Sequence, residues 1–178
     1  MTAKEIYKFP EYLVETEWLE HNLDSPELKI FDCTASVVKN PDATQQQKVP
    51  FVYESGLDNY KQAHIPHAGH IDVPGMLSDP SSNLPLMMLP EEQFVSTMKN
   101  YGISNDSHVV LYSTSEPNWA TRVWWMLRSF GFNNVAILNG GWKKWNLEER
   151  PTSTQACNYL PEKLSLKLRS KSFVDKMK

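Results

Sequence analysis

The stretch that most restricts what this chain can fold into runs from Val109 to Trp125. Val109-Val110-Leu111-Tyr112 is a short apolar run and reads as a strand buried on both faces. Ser113-Thr114-Ser115-Glu116-Pro117-Asn118 follows as a polar loop. Residues 119–130 are apolar almost all round, which predicts a buried helix, and Gly131 ends it. A buried strand that turns through a short loop into a buried helix is half of a parallel crossover unit. In α/β proteins that loop is where backbone N–H groups gather at a helix start, and where a nucleophile or an anion is placed. This loop has no Cys, His or Gly, and it carries Glu116 and Pro117 where an anion would sit. The setting of a site is present and its chemistry is missing.

The rest of the chain repeats the alternation. Residues 1–10 form a polar lead ending in Pro10, and a short strand or turn precedes a helix around Thr16-Glu17-Trp18-Leu19. Leu28-Lys29-Ile30-Phe31-Asp32-Cys33 reads as a strand, residues 35–55 as a long loop, and Gly56 to Ala63 as a short helix. A brief strand is expected at His70-Ile71-Asp72, then a surface loop over 78–90 punctuated by Pro80, Pro85 and Pro90. Pro90-Glu91-Glu92 opens a helix that ends near Tyr101-Gly102, with proline and acids suited to its positive end. Val135-Ala136-Ile137-Leu138 is a strand, followed by Asn139-Gly140-Gly141 and a helix through Trp145. Strands alternating with helices predict an α/β domain with a parallel sheet covered on both faces and 109–112 as its central strand. After Pro151 the character changes. Residues 151–163 are irregular, Leu164, Leu166 and Leu168 alternate with polar residues as in a strand, and Phe173-Val174-Asp175 begins a further element.

Composition removes several function classes. A chain of 178 residues with 40% hydrophobic content can bury a core as one domain. A net charge of −3 without a basic stripe argues against nucleic acid. No apolar run approaches the ~18 residues of a membrane span, and the N-terminus lacks a signal-peptide core, so neither a membrane nor an export route is expected. Two cysteines, Cys33 and Cys157, make no disulfide framework and fit a reducing, cytoplasmic location.

Individual residues are weighed in the same way. Ser115 is placed to cap the helix after the loop, Glu116 to complement its dipole, and Pro117 removes one donor. A serine hydroxyl without a base is a poor nucleophile, and no histidine lies in the loop. His64, His67 and His70 invite a zinc reading, but Pro66 and Gly69 break the helix that would bring them together, so no metal and no cofactor is expected. Cys33 closes an apolar strand and reads as a buried structural thiol. Cys157 reads as an exposed thiol with only Lys163 near enough to activate it. Arg122 opens a buried helix and needs an internal partner, Asp32 or Glu116.

Several segments, taken in order, resemble the rhodanese family of sulfurtransferases. They are Phe31-Asp32, His64-Ile65-Pro66-His67-Ala68, Ser78-Asp79, Met88-Leu89-Pro90, Arg122-Val123-Trp124-Trp125-Met126-Leu127, Phe130-Gly131 and Leu138-Asn139-Gly140-Gly141-Trp142. The resemblance is to the first of two tandem domains in thiosulfate and 3-mercaptopyruvate sulfurtransferases. It implies a rhodanese-like fold with a central five-stranded parallel sheet. Asp32, His64, Arg122, Gly140 and Gly141 would be scaffold residues, with His64 hydrogen-bonded into its turn. In that family a cysteine directly after the central strand of the second domain carries sulfur as a persulfide inside a cradle of backbone N–H groups. The matching position here is at or near Ser113. A histidine that reaches toward substrate in mercaptopyruvate-using relatives corresponds to Met87, which puts that substrate in doubt.

The resemblance divides the chain into a lead (1–10), a rhodanese-like domain (11–150), and an interdomain linker with the start of a second domain (151–178). It implies a domain without catalytic residues, whose partner is a catalytic rhodanese domain in cis and which meets a small sulfur donor only beside that partner. The alternative is a standalone silent module used for binding or regulation. Residues 151–178 are expected to stay off the first core.

Overall fold

The computed structural model describes residues 7–41 and 50–169. After a 3₁₀ turn at Pro10–Tyr12, the elements are β1 (Leu13–Val14), α1 (Thr16–His21), β2 (Leu28–Asp32), β3 (Ala35–Lys39), β4 (Phe51–Ser55), α2 (Leu57–Gln62), β5 (Gly69–His70), α3 (Val73–Met76), α4 (Glu91–Asn100), β6 (His108–Tyr112), α5 (Asn118–Ser129), β7 (Val135–Leu138) and α6 (Gly141–Leu147). Five strands form one sheet in the order β1-β7-β6-β2-β5. Every pairing in it is parallel, with Ile30 opposite Val110 and Val110 opposite Ala136. This is the parallel α/β architecture that the resemblance implies, and β6 is its central strand.

Both faces of the sheet are buried because successive residues of β6 point to opposite sides. Val109 and Leu111 pack with Phe94, Met98, Val123, Met126, Leu127 and Phe130, while Val110 and Tyr112 pack with Leu19, Ile65, Leu138 and Trp145. The two large clusters are the reason the strands read as continuous apolar runs. Helix α5 is less uniform than its sequence suggests: Trp119, Val123, Met126 and Leu127 are buried, whereas Thr121 and Trp125 lie on the outer side. An all-round apolar helix thus resolves into a core face and an aromatic outer face.

Two expectations are corrected. Residues 35–55 are not a long loop. Their described residues hold an antiparallel strand pair, β3 with β4, whose flat apolar signal is weak because Val37 and Phe51 are exposed by half or more. And the segment from Pro151 to Arg169 does not stay off the core. It crosses the domain as a strap without a helix or a sheet strand of its own. Pro151 accepts from the Trp145 indole, Ser153 pairs with His64 through two backbone hydrogen bonds, and the Cys157 N–H donates to the Tyr60 hydroxyl. The Tyr159 hydroxyl accepts from Ile30 N–H and donates to the His67 carbonyl. Leu164 is 4% exposed within the main core. The leucine alternation over 164–168 is real, but Lys167 and Arg169 donate their N–H groups to the Phe130 and Ser129 carbonyls at the end of α5, not to a strand. The expected element at Phe173 lies outside the described residues.

Candidate functional site

The strand order reverses between β2 and β6, so the crevice beyond their carboxyl ends is the natural site of an open parallel sheet. Two corners meet there. At the end of β2, Asp32 makes an Asx turn, its Oδ1 accepting from Thr34 N–H at 2.8 Å and from the Thr34 hydroxyl. At the end of β6, the N–H of Thr114 donates to Thr34 Oγ1 at 2.9 Å, and the two threonine hydroxyls lie 3.1 Å apart. Ser115 Oγ donates to the Ala35 carbonyl at 3.4 Å. The crevice is stapled shut by these bonds.

Asp32 is fully buried; its second oxygen, Oδ2, lies outside the Thr34 bonds, and a hydrogen bond from the Tyr112 side chain favours the carboxylate. Burial pushes its carboxyl up to about 6, against the pull of the Thr34 bonds and the His64 ring. The Tyr112 hydroxyl, which accepts the Ile65 N–H at 3.2 Å, stands beside it, and burial pushes that phenol well above its usual range.

The loop itself is closed on its own backbone. Ser113 Oγ donates to the Glu116 carbonyl at 2.7 Å, and Pro117 occupies the N-cap position of α5 with no side-chain cap. The expected Ser115 cap is therefore not formed, because Ser115 is drawn toward β3 instead. Asn118 is the first residue of α5, not part of the loop. On the β7 side a cleft of about 410 Å³ opens, lined by Ser113, Thr121, Asn139, Lys143, Leu13 and Ile137. Its rim is the Gly140-Gly141 turn, at φ 80° and 54°, where a Cβ on Gly140 would come within 2.5 Å of Lys144 Cβ.

Arg122 pairs with neither Asp32 nor Glu116. Its guanidinium donates to the Leu86 carbonyl, and its Nε is buried without a partner among the described residues. Leu86 is held at φ 58°, so this arginine pins the 78–90 loop at a left-handed residue, next to an exposed Met87. Thr34 had already taken the Asp32 carboxylate.

The three histidines face three different ways. His64 is buried and stacked on Tyr60, with Nδ1 2.6 Å from the Tyr60 carbonyl and Nε2 3.0 Å from the Gln155 carbonyl. Both ring nitrogens are thus taken up by backbone carbonyls. His67 lies 3.3 Å from Asp24, and His70 lies 3.5 Å from the Ser55 hydroxyl.

The rhodanese-like domain family matches residues 15–148. The chain belongs to the rhodanese family. Among curated relatives it is 30% identical to the sulfur carrier protein TtuD of Thermus thermophilus over 93% of this chain and 50% of that protein. It is 33% identical to the 3-mercaptopyruvate sulfurtransferase of Escherichia coli K12 over 78% of this chain and 45% of that one. The crystal structure of SseA from Escherichia coli, a 3-mercaptopyruvate sulfotransferase with the rhodanese fold, superposes with a TM-score of 0.68 at 28% identity, covering 89% of this chain and 55% of that one. The chain thus spans about half the length of the curated relatives it matches.

Neither thiol of this rhodanese domain lies in the loop after β6. Cys33 is fully buried, its N–H bonded to the Tyr112 carbonyl, and burial with the Asp32 carboxylate beside it raises the thiol well above its usual range. Cys157 is half-buried in the strap rather than free in a linker. Burial raises its thiol too, and the cation that faces it is Lys29, not Lys163. Sequence reasoning missed Thr34, Tyr60 and Leu86. Thr34 was within reach, since Asp-x-Thr at a strand end is an Asx-turn signal. Among the described residues no helix is long and apolar enough to cross a membrane.

Proposed function

We propose that this chain is the non-catalytic N-terminal domain of a thiosulfate/3-mercaptopyruvate-type sulfurtransferase, inactive alone and working beside a second, catalytic rhodanese domain in cis. One observation carries the reading. The position directly after the central strand is Ser113, and its hydroxyl is committed to the Glu116 carbonyl 2.7 Å away. Sulfur transfer through a persulfide needs a thiolate there: the thiolate attacks the donor's outer sulfur and the remainder of the donor leaves with the bonding pair. A serine hydroxyl without a base supplies neither the sulfur nor the nucleophile. Both cysteines of the chain stand elsewhere with raised pKa values, which withdraws the thiolate form. In this reading the domain supplies one wall of a cleft, and a small sulfur donor binds only when the second domain supplies the other. Match to about half of each relative agrees with a two-domain parent. Two free thiols fit a reducing compartment, the cytoplasm.

The test is transfer of sulfur to cyanide from thiosulfate and from 3-mercaptopyruvate. The wild-type chain should show background rates. Ser113→Cys alone should add little, because Glu116 raises the new thiol's pKa and Pro117 withholds an N–H. Ser113→Cys with Glu116→Gly and Pro117→Gly should do better. Wild-type turnover abolished by Cys33→Ser or Cys157→Ser would overturn the reading.

A further inference from the structure

We propose that Asn139 is a site of spontaneous covalent modification, losing ammonia to become aspartate or isoaspartate, and that Glu15 sets its rate. The inference rests on the turn after β7 and is independent of the reading above.

The sequence holds one Asn-Gly pair, Asn139-Gly140. The fold requires both residues. Gly140 stands at φ 80°, and a Cβ there would come within 2.5 Å of Lys144 Cβ, so no larger residue can follow Asn139 without displacing Lys144. Asn139 ties the end of β7 to the start of α1. Its N–H donates to the Val14 carbonyl at 2.8 Å, and its Nδ2 donates to Glu15 Oε1 at 2.8 Å. Three features of the turn favour attack by the backbone on the side chain. Glycine puts no Cβ beside the attacking nitrogen. No acceptor among the described residues occupies the Gly140 N–H. And Gly140 is exposed at the rim of the cleft of about 410 Å³, so water reaches it.

The chemistry needs no partner but water. The Gly140 nitrogen attacks Asn139 Cγ and gives up its proton. The Cγ–Nδ2 bond breaks, and ammonia leaves with that proton and the bonding pair, closing a five-membered imide. Water then opens the ring. Cleavage of the bond from Cγ to the Gly140 nitrogen gives aspartate in an unchanged main chain. Cleavage at the backbone carbonyl gives isoaspartate, whose main chain runs through the former side chain. Nothing is oxidised or reduced.

Glu15 opposes the first step. To cyclise, the amide must swing toward Gly140, and its nitrogen must depart; a carboxylate that holds Nδ2 resists both. Lys144 holds that carboxylate in turn, its Nζ 2.7 Å from Glu15 Oε2, and the Lys144 and Asn139 bonds keep the Glu15 carboxyl below the usual carboxylate range. Modification reverses the contact. An acid at 139 meets Glu15 as a second carboxylate, with Lys144 between them, and the donor is gone. Isoaspartate also shifts the Gly140-Gly141 turn, and the next residue, Trp142, donates its N–H to the Ser113 carbonyl at 3.4 Å. The change is thus felt at the loop after β6.

The test is incubation of the folded full chain in mildly alkaline buffer, with peptide mass spectrometry that separates aspartate from isoaspartate. Asn139 should convert ahead of every other asparagine. Glu15→Ala should convert it about tenfold faster, the size of one partly exposed hydrogen bond to a charged group. Should that variant not fold, Glu15→Gln keeps an acceptor without the charge, and its rate should exceed wild type by less. Asn139→Asp, which copies one product, should have a lower Tm than wild type. An Asn139 peptide that stays intact, conversion led by another asparagine, a rate unmoved by the Glu15 variants, or an unchanged Tm in Asn139→Asp would each overturn the proposal.

Discussion

The strap makes a quantitative prediction, because two of its leucines differ in one respect only. Leu164 is 4% exposed among Phe94, Met98, Leu127 and Phe130, whereas Leu160, four residues earlier, is 82% exposed. Neither lies in a helix or strand. Leu164→Ala removes about 2 kcal/mol of transfer free energy. It also leaves a cavity, and buried Leu→Ala changes span about 2–5 kcal/mol. An irregular segment can settle partly into the space, so the expected loss is about 3 kcal/mol. At roughly 2–4 °C per kcal/mol for a domain of this size, Tm should fall by about 6–12 °C. Leu160→Ala should stay within about 0.5 kcal/mol of wild type. Urea unfolding followed by tryptophan fluorescence, with the slope m unchanged, measures both. Equal and small effects at the two positions would show that the strap merely rests on the surface.

Two further outcomes follow from the same structure. In the native protein an aromatic disulfide reagent should modify one thiol, Cys157, and reach Cys33 only on unfolding, since Cys33 is fully buried; two fast equivalents would contradict this. Gly102→Ala should destabilise more than Gly131→Ala in thermal unfolding. Both glycines have positive φ, but a Cβ at Gly102 would lie 2.4 Å from Tyr159 Cβ and 2.7 Å from the Leu160 carbonyl, against 3.3 Å from the Lys167 carbonyl at Gly131. About 3 kcal/mol is expected at Gly102, from left-handed strain of about 1–2 kcal/mol plus overlap with the strap.

Periodicity made the sheet legible and partners made the remainder illegible. Val109 to Tyr112 announces a two-faced central strand, and Gly131 and Gly140-Gly141 mark the turns around it, because these signals are local. The strand pair within 35–55 was hidden because a two-stranded ribbon with accessible Val37 and Phe51 has no single buried face to impose alternation. The leucine pattern of the strap was visible, but its destination was not: an extended segment can be bound by the carbonyls of a helix end as well as by a strand. At the site, the vacant thiol position could be read from Ser113 itself. The partners of Arg122 and Ser115 could not, since Leu86 and Ala35 contribute backbone carbonyls, which every residue owns and no sequence pattern advertises.

The route of the strap also orders assembly in time. Its anchors at His64, Tyr60, Ile30, Lys99, Asn105 and Phe130 come from stretches far apart in the chain. They become neighbours only once β2, β5 and β6 are side by side. The strap has no helix or sheet strand of its own to nucleate on, so it is expected to condense after the sheet rather than with it. During synthesis, residues up to 150 emerge first and wait with Phe94, Met98 and Phe130 uncovered on the side that Leu164 later fills. The interval between sheet closure and strap docking is when a nascent chain of this kind is most open to sticking to its neighbours.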